Sequence, residues 1–143
     1  LDMGIPVAIG TDGPASNNCL DMFREMFLVT GLQKVVCDDP EAVPAMDVLK
    51  MAVVTGAHAM GPSDCDTLQA GKKADLIMID LMQPNMQPLQ NIEKNIVYSG
   101  SKQNVKMTMV GGNVLYRDGN FYLDSTPEEI YRKSNESARR ILG

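Results

Sequence analysis

The sequence has a single histidine, His58, and three cysteines, Cys19, Cys37 and Cys65, with no C-x-x-C pair among them. An odd number of widely spaced cysteines suits neither a disulfide framework nor a zinc knuckle, so buried, reduced thiols are expected. No apolar run approaches the roughly 18 residues of a membrane-spanning helix, and the first residues carry no charged leader and no cleavage site. A cytoplasmic protein with no membrane partner is the expectation. The net charge is −5 and the basic residues are scattered, which excludes the clustered Lys and Arg surface that nucleic acid requires. Tyr98, Tyr116, Tyr122 and Tyr131 are too dispersed to form a base-stacking platform. There is no internal repeat and no low-complexity segment.

What remains is the composition of a soluble globular chain, 44% hydrophobic and 22% charged. Residues 4–11, GIPVAIGT, set Ile5, Val7 and Ile9 among small residues, as in a short strand covered on both faces of a parallel sheet. From Asn18 the period changes, and Leu20, Phe23, Met26 and Phe27 recur at three and four, predicting an amphipathic helix that starts at Asn18, with Asp21 as an early carboxylate. Asp39-Pro40-Glu41 is a second helix-start signal, with Leu49, Ala52 and Val53 on its apolar face and a tight helical turn at TGAHAMG.

Beyond Gly61 the texture changes to strands and turns. ADLIMIDL (74–81) reads as a strand and PNMQPLQ (84–90) as a loop. VKMTMV (105–110) alternates, with Val105, Met107 and Met109 on one face, and GGN and DGN supply turns, so 105–123 is expected to be a three-stranded meander. Thr126, Pro127 and Glu129 fit an N-cap, a first helical position and a capping-box acid, with Arg139 and Arg140 closing a terminal helix. A lone parallel strand can neither satisfy its backbone nor cover its faces, so this inventory reads as the end of something larger.

Asp12, in IGTDGPASNN, stands just past the carboxyl end of the expected strand, where α/β folds gather ligands and catalytic side chains. An aspartate there also ties down its own turn by accepting backbone N–H groups. Ser16, Asn17 and Asn18 suit either a support for Asp12 or a cap for the following helix. Met22, Met26, Met107 and Met109 are expected in the core rather than at a soft-metal site. Lys72 and Lys73, before a strand, are expected on a solvated edge.

GTDGPASNNCLDMFREM (10–26), GKKADLIMIDL (71–81) and VKMTMVGGNVLYRDG (105–119) resemble the C-terminal part of the amidohydrolase superfamily, in its branch of methylthioadenosine/S-adenosylhomocysteine deaminases and related chlorohydrolases. The first motif is specific; the other two add to it. The resemblance implies an α/β fold, a C-terminal fragment of a (β/α)8 metal-dependent hydrolase barrel. Residues 1–61 would be the last barrel strand (Ile5 to Thr11) and closing helices, 62–124 the C-terminal share of a small composite β-sandwich, and 125–143 the terminal helix.

Carried over by residue, only Asp12 matches a family catalytic position. The resemblance makes it metal ligand, substrate contact and proton carrier: it takes a proton from a metal-bound water and passes it to leaving ammonia. The implied cofactor is a divalent metal, most often zinc, and the implied partner a small purine nucleoside. The histidine ligands of the family belong to segments that precede this one, and His58 follows the barrel's end, so it is not expected to be a ligand. A chain with one ligand would be inactive alone, since a catalytic zinc takes about three. Val53 and Thr55 depart from the family's A-T-x-N-G-A pattern, and Asp66 replaces a common Gly, changes of packing and turn geometry. The alternative is a non-catalytic interaction module retaining the same tail. In either case unpaired edges and apolar faces predict a homo-oligomer.

Overall fold

The computed structural model describes residues 3–61 and 64–143. The expected division between 61 and 62 falls at the edge of residues 62–63, which lie outside those described. Helix α1 spans Met22–Cys37, three residues later than a cap at Asn18 would place it, because Asp21 is the N-cap and its carboxylate accepts from the Phe23 N–H. Glu25 in the first turn and Lys34 in the last suit the two ends of the helix dipole. α1 ends on Asp38, in the left-handed region at φ 50°.

The second helix also begins later than Asp39 suggests. α2 spans Ala45–Ala52 with Pro44 as N-cap, and α3 follows at Val54–Ala59. Residues 39–43 instead fold over the end of α1. Asp39 Oδ1 accepts the Glu41 N–H at 2.8 Å, Lys34 donates to the carbonyls of Pro40 and Ala42, and Thr30 Oγ1 donates to the Val43 carbonyl at 2.8 Å. With its polar groups satisfied in a turn, this stretch gains nothing from becoming helical. The buried stripe of α2 is Ala45, Val48 and Met51, which leaves Val53 exposed.

Strand β1 is Leu76–Ile79, and a 3-10 turn at Pro84–Met86 leads to a helix absent from the sequence analysis, α4, Ile92–Ser99. Asn91 caps it through the Lys94 N–H at 2.8 Å. α4 lies inside the 62–124 share assigned to the sandwich, yet it packs on α1 and α2. Its Val97 joins Phe23, Met26, Ala45 and Val48 in the core. The approach is close at Gly100, where an added Cβ would meet the Ile96 carbonyl and stand 2.8 Å from Phe23 Cδ1.

A second 3-10 turn, Lys102–Asn104, enters β2, Val105–Val110, followed by β3, Asn113–Arg117, and β4, Asn120–Phe121. β2, β3 and β4 form the expected three-stranded meander, and β1 pairs antiparallel with β2 to complete one sheet in the order β1-β2-β3-β4. Leu76 faces Met109, Thr108 faces Tyr116, and Tyr116 faces Phe121 with ring centroids 5.1 Å apart. Asp118 and Gly119 both take positive φ, 47° and 86°, the requirement of a tight two-residue hairpin. Met107 is buried, and Ile79 and Val105 pack against the helical core, so the sheet meets the helices at one end.

Asn104 joins the layers. It is 1% exposed, its carbonyl accepts the Asp80 N–H at 2.7 Å, and its side-chain oxygen accepts from Asn85 at 2.8 Å and from the Ser101 N–H at 2.9 Å. Helix α5, Pro127–Leu142, has the expected capping box of Thr126 and Glu129, and none of its residues is buried.

Residues 4–11, expected as a strand, are extended but paired in no sheet among the described residues. The Ile9 N–H bonds to the Met51 carbonyl at 3.3 Å, and the four strands of the sheet are paired among themselves. A strand exists only by pairing, and among the described residues no neighbour offers this segment a ladder. Ile9 nonetheless packs against the core.

Candidate functional site

Asp12 sits where the extended segment turns toward α1, and its backbone takes φ 57°, the left-handed region uncommon outside glycine but accessible to aspartate. Gly13 follows, and its N–H donates to Asp12 Oδ1 at 2.7 Å. Ser16 Oγ donates to Asp12 Oδ2 at 2.6 Å. The Ser16 hydroxyl first, and the Gly13 N–H second, hold the Asp12 carboxyl below its ordinary range, so it is ionised at neutral pH.

The loop around the carboxylate is itself braced. The N–H groups of Ser16 and Asn17 both donate to the Gly13 carbonyl, at 3.1 and 2.9 Å. Asn17 Nδ2 donates to the Thr11 carbonyl at 2.9 Å and to Glu25 Oε1 on α1 at 2.7 Å, while Asn17 Oδ1 accepts the Cys19 N–H at 3.0 Å. One amide thus ties the backbone immediately before Asp12 to the following helix. Ser16 and Asn17, suited by position either to support Asp12 or to cap the helix, are both supports, and Asp21 rather than Asn18 does the capping. Glu25, the acidic residue of the same motif on α1, anchors the Asn17 amide.

Beneath the loop, Val7, Ile9, Leu28, Val29 and Met51 line an open groove of about 560 Å³ between the extended segment and α1. Its lining is mainly apolar, and Glu25 stands at its polar margin.

As a metal donor Asp12 fits in part. It is exposed and ionised, and an ionised carboxylate has about four lone-pair sites, of which two are taken here. Among the described residues, however, no three His, Cys, Asp or Glu side chains are grouped to hold a metal ion. These residues offer one ligand and not a site.

His58 lies on α3 with its Nε2 2.9 Å from Asp66 Oδ2, so the one histidine is bonded to a buried carboxylate. Lys72 pairs with the other oxygen of Asp66, and Lys73 with Asp64 at 3.1 Å. Lys73 is thus exposed as expected, with an ion pair at the surface, whereas Lys72 is half-buried against Asp66 rather than on a solvated edge. Of the cysteines, Cys37 is exposed at the end of α1 and Cys19 and Cys65 are half-buried. None of the three is buried, contrary to expectation, because each falls at a helix end or in a loop.

The sequence profile of the amidohydrolase family matches residues 1–115. The chain belongs to the amidohydrolase family. This amidohydrolase chain is 46% identical over 121 residues to a 5-methylthioadenosine/S-adenosylhomocysteine deaminase of Desulfovibrio desulfuricans, covering 85% of the chain and 28% of that protein. It is 44% identical over 119 residues to a 5'-deoxyadenosine deaminase of Methanothermobacter thermautotrophicus, again 28% of the relative's length. A crystal structure of an adenosine deaminase from Xanthomonas campestris with bound zinc superposes with a TM-score of 0.93 at 31% identity, over 99% of this chain and 32% of the other. A zinc complex of the atrazine chlorohydrolase of Arthrobacter aurescens shares the fold, with a TM-score of 0.78 at 23% identity over 94% of this chain and 30% of the other. The chain thus spans about a third of the length of the proteins it matches.

Proposed function

We propose that this chain is the C-terminal part of a metal-dependent amidohydrolase that deaminates an adenine nucleoside of the methylthioadenosine or S-adenosylhomocysteine kind. The observation that carries this reading is the identity of 46%, over 121 residues, to a deaminase named for those two substrates, beside a family match over residues 1–115 that includes the Asp12 loop. In this reading the last barrel strand is 5–11, residues 1–61 close the barrel, and 62–124 contribute to the small sandwich. The extended 4–11 segment, which has no ladder partner among the described residues, and the groove beside it are what such a strand would present before its neighbours are in place.

Asp12 is the one ligand and acid–base group this chain contributes. A divalent ion, zinc in the reading favoured by the zinc-bound neighbours, supplies a Lewis acid that brings the pKa of water toward neutrality. The part of this chain is to present an ionised carboxylate at a fixed position, accept a proton there and release it to the departing amine. Glu25 and Asn17 hold the loop, and the remaining ligands come from outside the described residues. The fragment alone is expected to be inactive.

We further propose that the chain self-associates as a homo-oligomer. Leu32, Val35 and Val36 on α1 are 59%, 80% and 77% exposed, and a helix apolar on nearly every side is ordinarily a buried one. A non-catalytic interaction module would show the same surface without the deaminase activity.

The test is to measure ammonia release from methylthioadenosine and S-adenosylhomocysteine by the native protein that carries this chain, with bound metal measured alongside. Deamination that depends on Asp12 is the expected result. Absence of turnover with every adenine nucleoside, together with a metal content unchanged by Asp12→Asn, would overturn the reading in favour of the interaction module.

A further inference from the structure

The two oxygens of Asp12 are each held by a different group, and the two holds differ in kind. Gly13 grips Oδ1 through its own backbone, a contact that any residue with an N–H would supply. Ser16 grips Oδ2 through a side chain four positions away, a contact that only a hydroxyl or another short donor supplies. The Ser16 proton has a second acceptor in range, the Gly13 carbonyl at 3.2 Å, but the 2.6 Å contact to the carboxylate is the shorter and is charge-assisted. Ser16 is not free to wander, because its own N–H is bonded to the Gly13 carbonyl at 3.1 Å.

These contacts divide the task of aiming the carboxylate. Asn17 and Glu25 fix the backbone at Thr11, and with it the Cα of Asp12. Neither touches the carboxylate, so neither sets its rotation about the Cα–Cβ bond. That rotation is set by Ser16 and Gly13. With one donor on each oxygen, each keeps a further acceptor site. Losing the hydroxyl would leave Oδ2 held by nothing in the loop, and the carboxylate would sample other rotamers.

We propose that Ser16 is a positioning residue for the Asp12 carboxylate, fixing its rotamer through the bond to Oδ2. The inference rests on the assignment of Asp12 to the metal centre proposed above. A residue that orients a metal ligand without touching the metal typically changes metal affinity or activity by about 10–100-fold when removed.

The test pairs two measurements on Ser16→Ala and Ser16→Thr in the native protein that carries this chain. Three-bond NMR couplings to the Asp12 carboxyl carbon in the metal-free protein report its χ1 rotamer independently of any reaction. One rotamer in the wild type, averaging in Ser16→Ala and a single rotamer again in Ser16→Thr is the expected pattern. In the deamination assay Ser16→Ala is expected to lower kcat by roughly 10–100-fold with KM little changed, and Ser16→Thr to recover most of it. Unchanged couplings and unchanged kcat in Ser16→Ala would overturn the proposal. So would a rise in KM at constant kcat, which would make Ser16 a substrate contact. If the wild type has no deaminase activity, the functional reading fails, and the couplings still decide whether Ser16 fixes the carboxylate.

Discussion

His58 Nε2 lies 2.9 Å from Asp66 Oδ2, and that contact commits the only histidine of the chain to structure. Asp66 is 8% exposed and is clasped on its other oxygen by Lys72. It therefore links α3, through His58, to the turn that leads into β1.

The clasp has a pH dependence whose sign follows from the carboxylate. Lys72 chiefly, with His58 assisting against the cost of burial, lowers the Asp66 pKa from 3.8 to about 2. A carboxyl group more acidic in the folded state stabilises that state fully above its unfolded value, and the contribution is lost as pH falls from about 3.8 through about 2. Urea denaturation midpoints should fall across that window in the wild type. In Asp66→Asn the midpoint should already be lower at pH 7, and this part of the acid dependence should be absent.

Asp12→Asn replaces the ionised carboxylate by an amide that can neither hold nor release the proton. Deamination by the native protein should drop by about 10²–10⁴-fold, the usual weight of a positioned acid–base group. Asp12 is exposed and its partners are local, so circular dichroism and the denaturation midpoint should barely move.

Gly100→Ala forces a methyl group against the Ile96 carbonyl and the Phe23 ring, both within the α1–α4 contact. Overpacking of this kind should cost about 1–3 kcal/mol in denaturant unfolding. Gly112→Ala tests positive φ separately from crowding, because its added Cβ meets nothing within 4 Å while φ is 81°.

Replacing Leu32, Val35 and Val36 together by Ser should reduce self-association, read as a fall in mass by sedimentation at micromolar concentration. A wild-type chain that sediments as a strict monomer would refute the proposed homo-oligomer.

The sequence made legible those elements whose signals are local. The capping box at Thr126 and Glu129 and the meander built on GGN and DGN are both present where their residues place them. Helix starts were displaced where another polar group competed, as when Lys34 and Thr30 drew residues 40–43 into a turn. α4 was hidden for a different reason: eight residues with only Val97 fully buried give little periodicity. Asp12 could be singled out from its motif, and Ser16 from its neighbourhood, but the Asn17–Glu25 bond joins residues eight apart across a loop and has no spacing rule to reveal it.

Asn104 has its carbonyl on Asp80 at the end of β1 and its side chain on Asn85, whose own amide reaches the Ser99 carbonyl at the end of α4. Sheet and helices therefore share one polar junction as well as an apolar contact. Neither can open to solvent without stranding the other's partners. The amides of β1 and α4 accordingly belong to one cooperative unit and should exchange with deuterium together.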